Sequence, residues 1–139
     1  MSSRITIAKI LKNASEIKDF QERKEYLLKN DSNALRAILK CAYDKKLKFL
    51  LPEGKVPYKP SEFDRLEGRI HQEVKKFYLY LEGGANIVQL KREQLFIDMM
   101  ESIDPEDAEL LVHIKDKKMP YKGITKTLVE RTYPGLIES

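Results

Sequence analysis

One stretch of the chain, residues 104–136, indicates the fold: its sequence is DPEDAELLVHIKDKKMPYKGITKTLVERTYPGL. Asp104 followed by Pro105 is a typical helix start, because aspartate accepts backbone N–H groups and proline fits the first helical turn. Apolar side chains then recur at Ala108, Leu111 and Val112, the spacing of one helix face. The stretch therefore predicts an amphipathic helix that begins at Asp104.

A lysine-rich turn separates this helix from a second, shorter one. The turn contains Pro120 and Gly123, and the second helix is predicted to begin at Thr125 and to end before Pro134. A basic loop that leads into a helix N-terminus suits phosphate binding, because backbone N–H groups and lysines both face the anion. The alternative is that these lysines are solvated surface. They are Lys115, Lys117, Lys118 and Lys122.

Length and composition predict one helical domain, residues 1–139. Hydrophobic residues make up 42% and charged residues 35% of the 139 positions, which is typical of a highly charged, mostly helical protein. No apolar run approaches the ~18 residues of a membrane span, and the N-terminus lacks the pattern of a secretory signal. Cys41 has no partner cysteine, so we expect it to pack in a helix and the protein to act in a reducing cytoplasm.

The apolar spacing predicts an all-α fold, a compact bundle of six or seven short helices. Besides the two helices above, we expect helices at about 5–13, 20–30, 33–43, 61–81 and 87–102. In the fifth of these, the side chains predicted to face inward are Leu90, Leu95, Phe96, Met99 and Met100. Three prolines and a glycine in residues 45–60, KKLKFLLPEGKVPYKP, predict an extended Pro-rich loop with one short strand at 48–51.

Positive charge is concentrated in two regions that are far apart in sequence. The net charge is only +4, so its distribution matters more than its sum. Residues 43–60 contain five lysines and two acids, and residues 111–139 contain six basic residues and three acids. If the fold brings the two regions together, they form one basic surface.

Residues typical of enzymes and cofactor sites are not combined in any familiar pattern. His71 and His113 form no HExxH pair, and no GxxxxGK[ST] phosphate loop occurs. Helix capping explains the start of the acidic cluster without a metal ion. We therefore predict no enzymatic activity, no metal and no cofactor. The spacing of Tyr80 predicts that it packs in the core, and base stacking is an alternative role for Tyr80 or Tyr121. The acidic cluster comprises Asp98, Glu101, Asp104, Glu106, Asp107 and Glu109.

Both ends of the chain resemble a known domain. Residues 7–17, IAKILKNASEI, and 27–51, LLKNDSNALRAILKCAYDKKLKFLL, resemble the start of the N-terminal all-helical DNA-binding domain of T4-type bacteriophage ATP-dependent DNA ligases. Residues 104–137 resemble its last helices, in the correct order, whereas residues 52–103 match only as a helical pattern. The segments DPEDA and PYKGITK also resemble small stand-alone proteins of T4-like phages.

The resemblance implies a phage protein that engages duplex DNA across the minor groove, mainly through backbone phosphates, as an accessory to phage DNA metabolism. The expected location is the host cytoplasm or the virion. No Lys-x-Asp-Gly adenylation motif is present, so the resemblance implies a non-catalytic role. Gly123 would allow the backbone to approach DNA, and Thr125 would cap the last helix while donating to a phosphate. The implied DNA-binding residues are Lys45, Lys46, Lys48, Lys117, Lys118, Lys122, Gly123, Thr125 and Lys126.

A second hypothesis is a protein-interaction module. The near balance of charge and the lack of a base-reading element favour it over a dedicated DNA reader. Such a module would modulate a host or phage protein of replication, transcription or defence. The sequence leaves the oligomeric state and the identity of that partner open.

Overall fold

The computed structural model describes residues 5–60 and 68–137. Within these ranges the chain is all-helical, as predicted, and one isolated antiparallel bridge pairs Phe49 with Leu81. A 3-10 helix, Val74–Tyr80, directly follows the fourth α-helix. The predicted start of that helix, 61–67, lies outside the described residues. The seven α-helices described are α1 (Ile7–Ser15), α2 (Phe20–Lys29), α3 (Asn33–Tyr43), α4 (Ile70–Glu73), α5 (Gln89–Ser102), α6 (Pro105–Ile114) and α7 (Lys126–Thr132).

Side-chain caps begin most of these helices, because the first backbone N–H groups of a helix have no partner within it. The predicted caps Asp19, Asp104 and Thr125 each accept a backbone N–H group of α2, α6 and α7, respectively. Ser32, one of three residues expected to cap α3, accepts the N–H group of Leu35 at 3.0 Å. Local sequence therefore sets where these helices begin.

The hydrophobic core lies where α1, α3 and α6 pack together. Ile7 and Leu11 of α1, Leu35 of α3 and Leu110 of α6 are fully buried. Each such side chain contributes about 1.5–3 kcal/mol through removal from water. Cys41 is also buried on α3, as predicted, and burial raises the pKa of its thiol to about 11. In the described ranges no helix is long and apolar enough to cross a bilayer.

Helix α5 differs from its prediction. Leu90 was expected to face inward but is 79% exposed, and Arg92 is buried instead. The Arg92 guanidinium donates to the carbonyl oxygens of Leu79 at 3.0 Å and Ala85 at 3.1 Å. A buried cation requires such partners, and here one comes from the 3-10 helix and the other from the turn before α5. Arg92 therefore links α5 to the 3-10 helix. Separately, α5 begins at Gln89, two residues later than predicted.

The predicted helix at 61–81 is wrong in its later part. Among its described residues, 68–81, only Ile70–Glu73 is α-helical, and the chain continues as the 3-10 helix to Tyr80. At the end of the 3-10 helix, the Leu79 carbonyl accepts from Arg92 and the Tyr80 carbonyl accepts from the Leu50 N–H group. Tyr80 is buried against Phe96, with ring centroids 5.2 Å apart. It therefore offers no face for base stacking.

The segment after α3 crosses the surface without forming a helix. Two backbone hydrogen bonds of 2.8 Å attach it to the end of the 3-10 helix, from Leu50 to Tyr80 and from Glu82 to Lys48. The Gly54 N–H group donates to the Asp116 carboxylate at 2.9 Å. These bonds hold the first basic region beside the turn that follows α6.

Candidate nucleic-acid interface

The two basic regions meet at the C-terminal end of α3. The Lys117 ammonium donates to the carbonyl oxygens of Cys41 at 2.5 Å and Asp44 at 3.0 Å. The Tyr43 hydroxyl donates to the carbonyl oxygen of Ile124. The last carbonyls of a helix lack helical partners and carry its negative dipole end, so an ammonium group is a favourable partner there. These bonds hold residues 117–124 against the residues that begin the first basic turn.

Besides Lys117, five lysines of the two turns are exposed, and we call them the lysine face. Lys118 approaches Glu53 at 3.5 Å, but their side chains are 68% and 76% exposed. Such a pair contributes about 0–1 kcal/mol in water, so Lys118 can readily exchange this carboxylate for a phosphate. The lysine face comprises Lys45, Lys46, Lys48, Lys118 and Lys122, all of them exposed.

Two other lysines of these turns have structural roles. Lys115 is buried, and its ammonium donates to the carbonyl oxygens of Pro52 at 2.8 Å and Gly54 at 2.7 Å and to the Asp116 carboxylate at 2.9 Å. These acceptors use all three of its N–H donors. Lys117 uses two donors at the C-terminal end of α3, and burial lowers the pKa of its ammonium. Its expected contact with DNA stays a prediction. Lys117 thus holds the lysine face together.

Gly123 also has a structural role, as the partner of Arg23. Its φ of +96° is a conformation that favours glycine, and a Cβ atom there would lie 2.9 Å from the Arg23 guanidinium. Arg23 donates to the Gly123 carbonyl at 3.0 Å and to the carbonyls of Ala14 and Ile17. Gly123 therefore permits the close approach of Arg23, and its expected approach to DNA stays a prediction. Sequence reasoning missed Arg23, because an arginine on a charged helix resembles ordinary surface.

The remaining predicted residues lie at the start of α7. The Thr125 hydroxyl oxygen accepts the Leu128 N–H group at 3.1 Å, which confirms its predicted role as a cap. Lys126 is the first residue of this helix and is half-buried. Because α7 has only seven residues, we assign no anion site to its N-terminus. Donation by Thr125 to a phosphate stays a prediction.

The acidic cluster near α6 is used in helix capping and packing. Asp104 caps α6 through the Glu106 N–H group at 3.0 Å, as predicted. Asp107 was also expected to stabilise the N-terminus of α6. In the structure, its carboxylate accepts the Ala8 N–H group of α1 at 2.9 Å. Glu101 accepts the Lys59 N–H group at 2.7 Å. Across residues 5–60 and 68–137, no three histidine, cysteine or acidic side chains are grouped as metal ligands would be.

Comparison with known proteins places the chain in a family but gives it no activity. No curated protein matches the sequence. A family model matches residues 10–121, a range that contains α2 to α6 and most of the lysine face. The chain therefore belongs to DUF6433, a family of unknown function.

Proposed function

We propose that this protein is a non-catalytic DNA-binding protein that holds duplex DNA by its backbone phosphates, on the lysine face. The observation that carries the proposal is the pair of bonds from Lys117 to Cys41 and Asp44, which brings two separate basic turns together. Phosphate contacts position a protein on a duplex without reading its sequence. We therefore expect weak sequence preference.

The charges of the two turns support this proposal. The turns contain seven lysines, counting Lys115 and Lys117, and three carboxylates, those of Asp44, Glu53 and Asp116. Asp44 is buried and pairs with Lys40 at 3.1 Å, and Asp116 is occupied by Lys115. The acids are thus largely neutralised within the protein, and the exposed lysines leave a positive surface that attracts polyanions.

The resemblance of both ends of the chain to a phage ligase domain supports the biological setting of the proposal. The protein would be an accessory factor in phage DNA metabolism, acting in the cytoplasm of the infected host or in the virion. By analogy with that domain, the protein would approach the duplex across the minor groove. The oligomeric state does not enter this proposal.

The salt dependence of binding tests the proposed function. Five lysines that neutralise phosphates give a slope of log Kobs against log salt of about −4 to −5 for B-form DNA. Fluorescence anisotropy of a labelled intact duplex should therefore show affinity falling by about a few hundred-fold between 50 and 200 mM salt. Absence of binding at 50 mM salt, or a slope near zero, would contradict the proposal.

A protein-interaction module is the second candidate, and one observation favours it. Val88 and Leu90, at the start of α5, are 74% and 79% exposed. Contiguous exposed apolar patches mark surfaces that bind a partner protein, and these two side chains would belong to such a patch. The partner would be a host or phage protein of replication, transcription or defence. A pull-down after nuclease treatment tests this candidate, and loss of every captured protein on nuclease treatment would count against it.

A further inference from the structure

A depression of about 350 Å³ lies between the segment after α3 and the turn after α6, next to the lysine face. Its volume is at the small end of the ~300–1,000 Å³ that ligand pockets occupy. Half-buried Phe49 and Leu51 supply its apolar wall, and Lys48 and Lys117 lie at its edge. It thus combines an aromatic surface with nearby cations.

The polar groups of the depression do not suit a phosphate. Lys115 has all three donors satisfied inside the protein, so it has no N–H group left to donate to a ligand. Asp116 is paired with Lys115, but Glu53 also lines the depression, and its exposed carboxylate disfavours a phosphate placed beside it. Asp116 accepts from Lys115 and from the Gly54 N–H group. Glu53 is left as an exposed carboxylate that can accept N–H donors.

We propose that this depression binds an unpaired nucleobase of a DNA strand whose phosphates lie on the lysine face. The base would stack on Phe49, since aromatic side chains bind the π-face of bases. Its Watson–Crick edge would donate to the Glu53 carboxylate. Guanine fits best, because its N1–H and N2–H donors lie side by side and match two carboxylate oxygens. Thymine fits poorly, because carbonyl oxygens flank its only N–H group. This inference depends on the proposed function and names its substrate as duplex DNA with an unpaired nucleotide.

The test compares an intact duplex with duplexes that carry a one-nucleotide guanine or thymine flap, by fluorescence anisotropy at one salt concentration. Stacking and the carboxylate contact together should make the guanine flap bind about tenfold tighter than the intact duplex. Phe49→Leu keeps an apolar side chain but removes the aromatic face, and should abolish the flap preference while leaving intact-duplex binding unchanged.

Glu53→Ala is the second variant, chosen because residue 53 is exposed and its change does not endanger the fold. It should remove the preference for guanine over thymine and slightly strengthen binding to intact duplex, because a negative charge is lost. Salt-dependent binding of all three DNAs with equal affinity would overturn the base-binding inference and leave the proposed function standing. Failure to bind any of them at low salt would overturn both.

Discussion

Replacing Lys45, Lys48, Lys118 and Lys122 together by glutamate is expected to weaken binding to an intact duplex by at least about 100-fold at low salt. Each replacement removes one phosphate contact and adds a repulsive charge, so the salt slope should also fall by about three to four. All four side chains are exposed. The melting temperature should therefore stay near that of the parent protein.

The matched control reverses four exposed lysines of α1, α2 and the turn between them: Lys9, Lys12, Lys18 and Lys29. This variant has the same net charge, so it isolates the position of the charges from their number. It should bind far more tightly than the lysine-face variant. Equal losses in the two variants would contradict the proposed site, because they would show that only net charge matters.

Lys117 is left unchanged in the fourfold glutamate variant, although it was also predicted to contact DNA. Its ammonium holds the carbonyl oxygens of Cys41 and Asp44. A glutamate at 117 would leave these acceptors without a donor and place a carboxylate at the negative end of α3. Loss of DNA binding in such a variant would not separate a damaged fold from a lost contact.

Asp107→Asn is expected to change how stability depends on pH. Burial raises the pKa of Asp107 to about 7, and nearby Asp104 and Glu106 also raise it. The folded protein then holds this proton more tightly than the unfolded chain does. The parent protein therefore loses stability as pH rises from about 4 to about 7 and loses no more above that range. Asparagine can still accept the Ala8 N–H group but does not ionise.

The stability of Asp107→Asn relative to the parent should thus increase by up to about 4 kcal/mol between pH 4 and pH 8. Urea denaturation at pH 4.5, 6 and 8 measures this difference. Asp107→Ala also removes the ionisation but leaves the Ala8 N–H group without its acceptor, which costs about 1–3 kcal/mol at every pH. If the free energy of unfolding depends on pH in the same way for the parent and Asp107→Asn, Asp107 does not titrate as a buried acid.

Features that depend on neighbouring residues were predictable from the sequence. Asp19, Asp104 and Thr125 cap helices as expected, because each capped N–H group lies within three residues of its cap. The apolar spacing of α1 and α3 also gave the buried positions Leu11 and Leu35. The all-helical architecture follows from these local signals.

Features that depend on distant partners were not predictable in the same way. Arg92 lies on the buried side of α5 because the carbonyl oxygens of Leu79 and Ala85 accept its hydrogen bonds. Leu90 is therefore on the exposed side of the helix. Lys117 and Gly123 looked like loop residues available to a ligand, but their partners lie 73 and 100 residues away at Asp44 and Arg23. The spacing of residues along the chain does not reveal such contacts. The distribution of lysines along the chain did identify the two basic turns, and the Lys117 hydrogen bonds bring these turns together.

The central claim is that the two basic turns form one surface that binds duplex DNA. The most direct measurement is a two-dimensional ¹H–¹⁵N NMR titration of the protein with an intact duplex at low salt, because it locates binding residue by residue. The account predicts concerted shifts in residues 45–48 and 117–122, with little change near Val88 and Leu90 on α5. Shifts confined to other surfaces, or no shifts at saturating duplex, would contradict it.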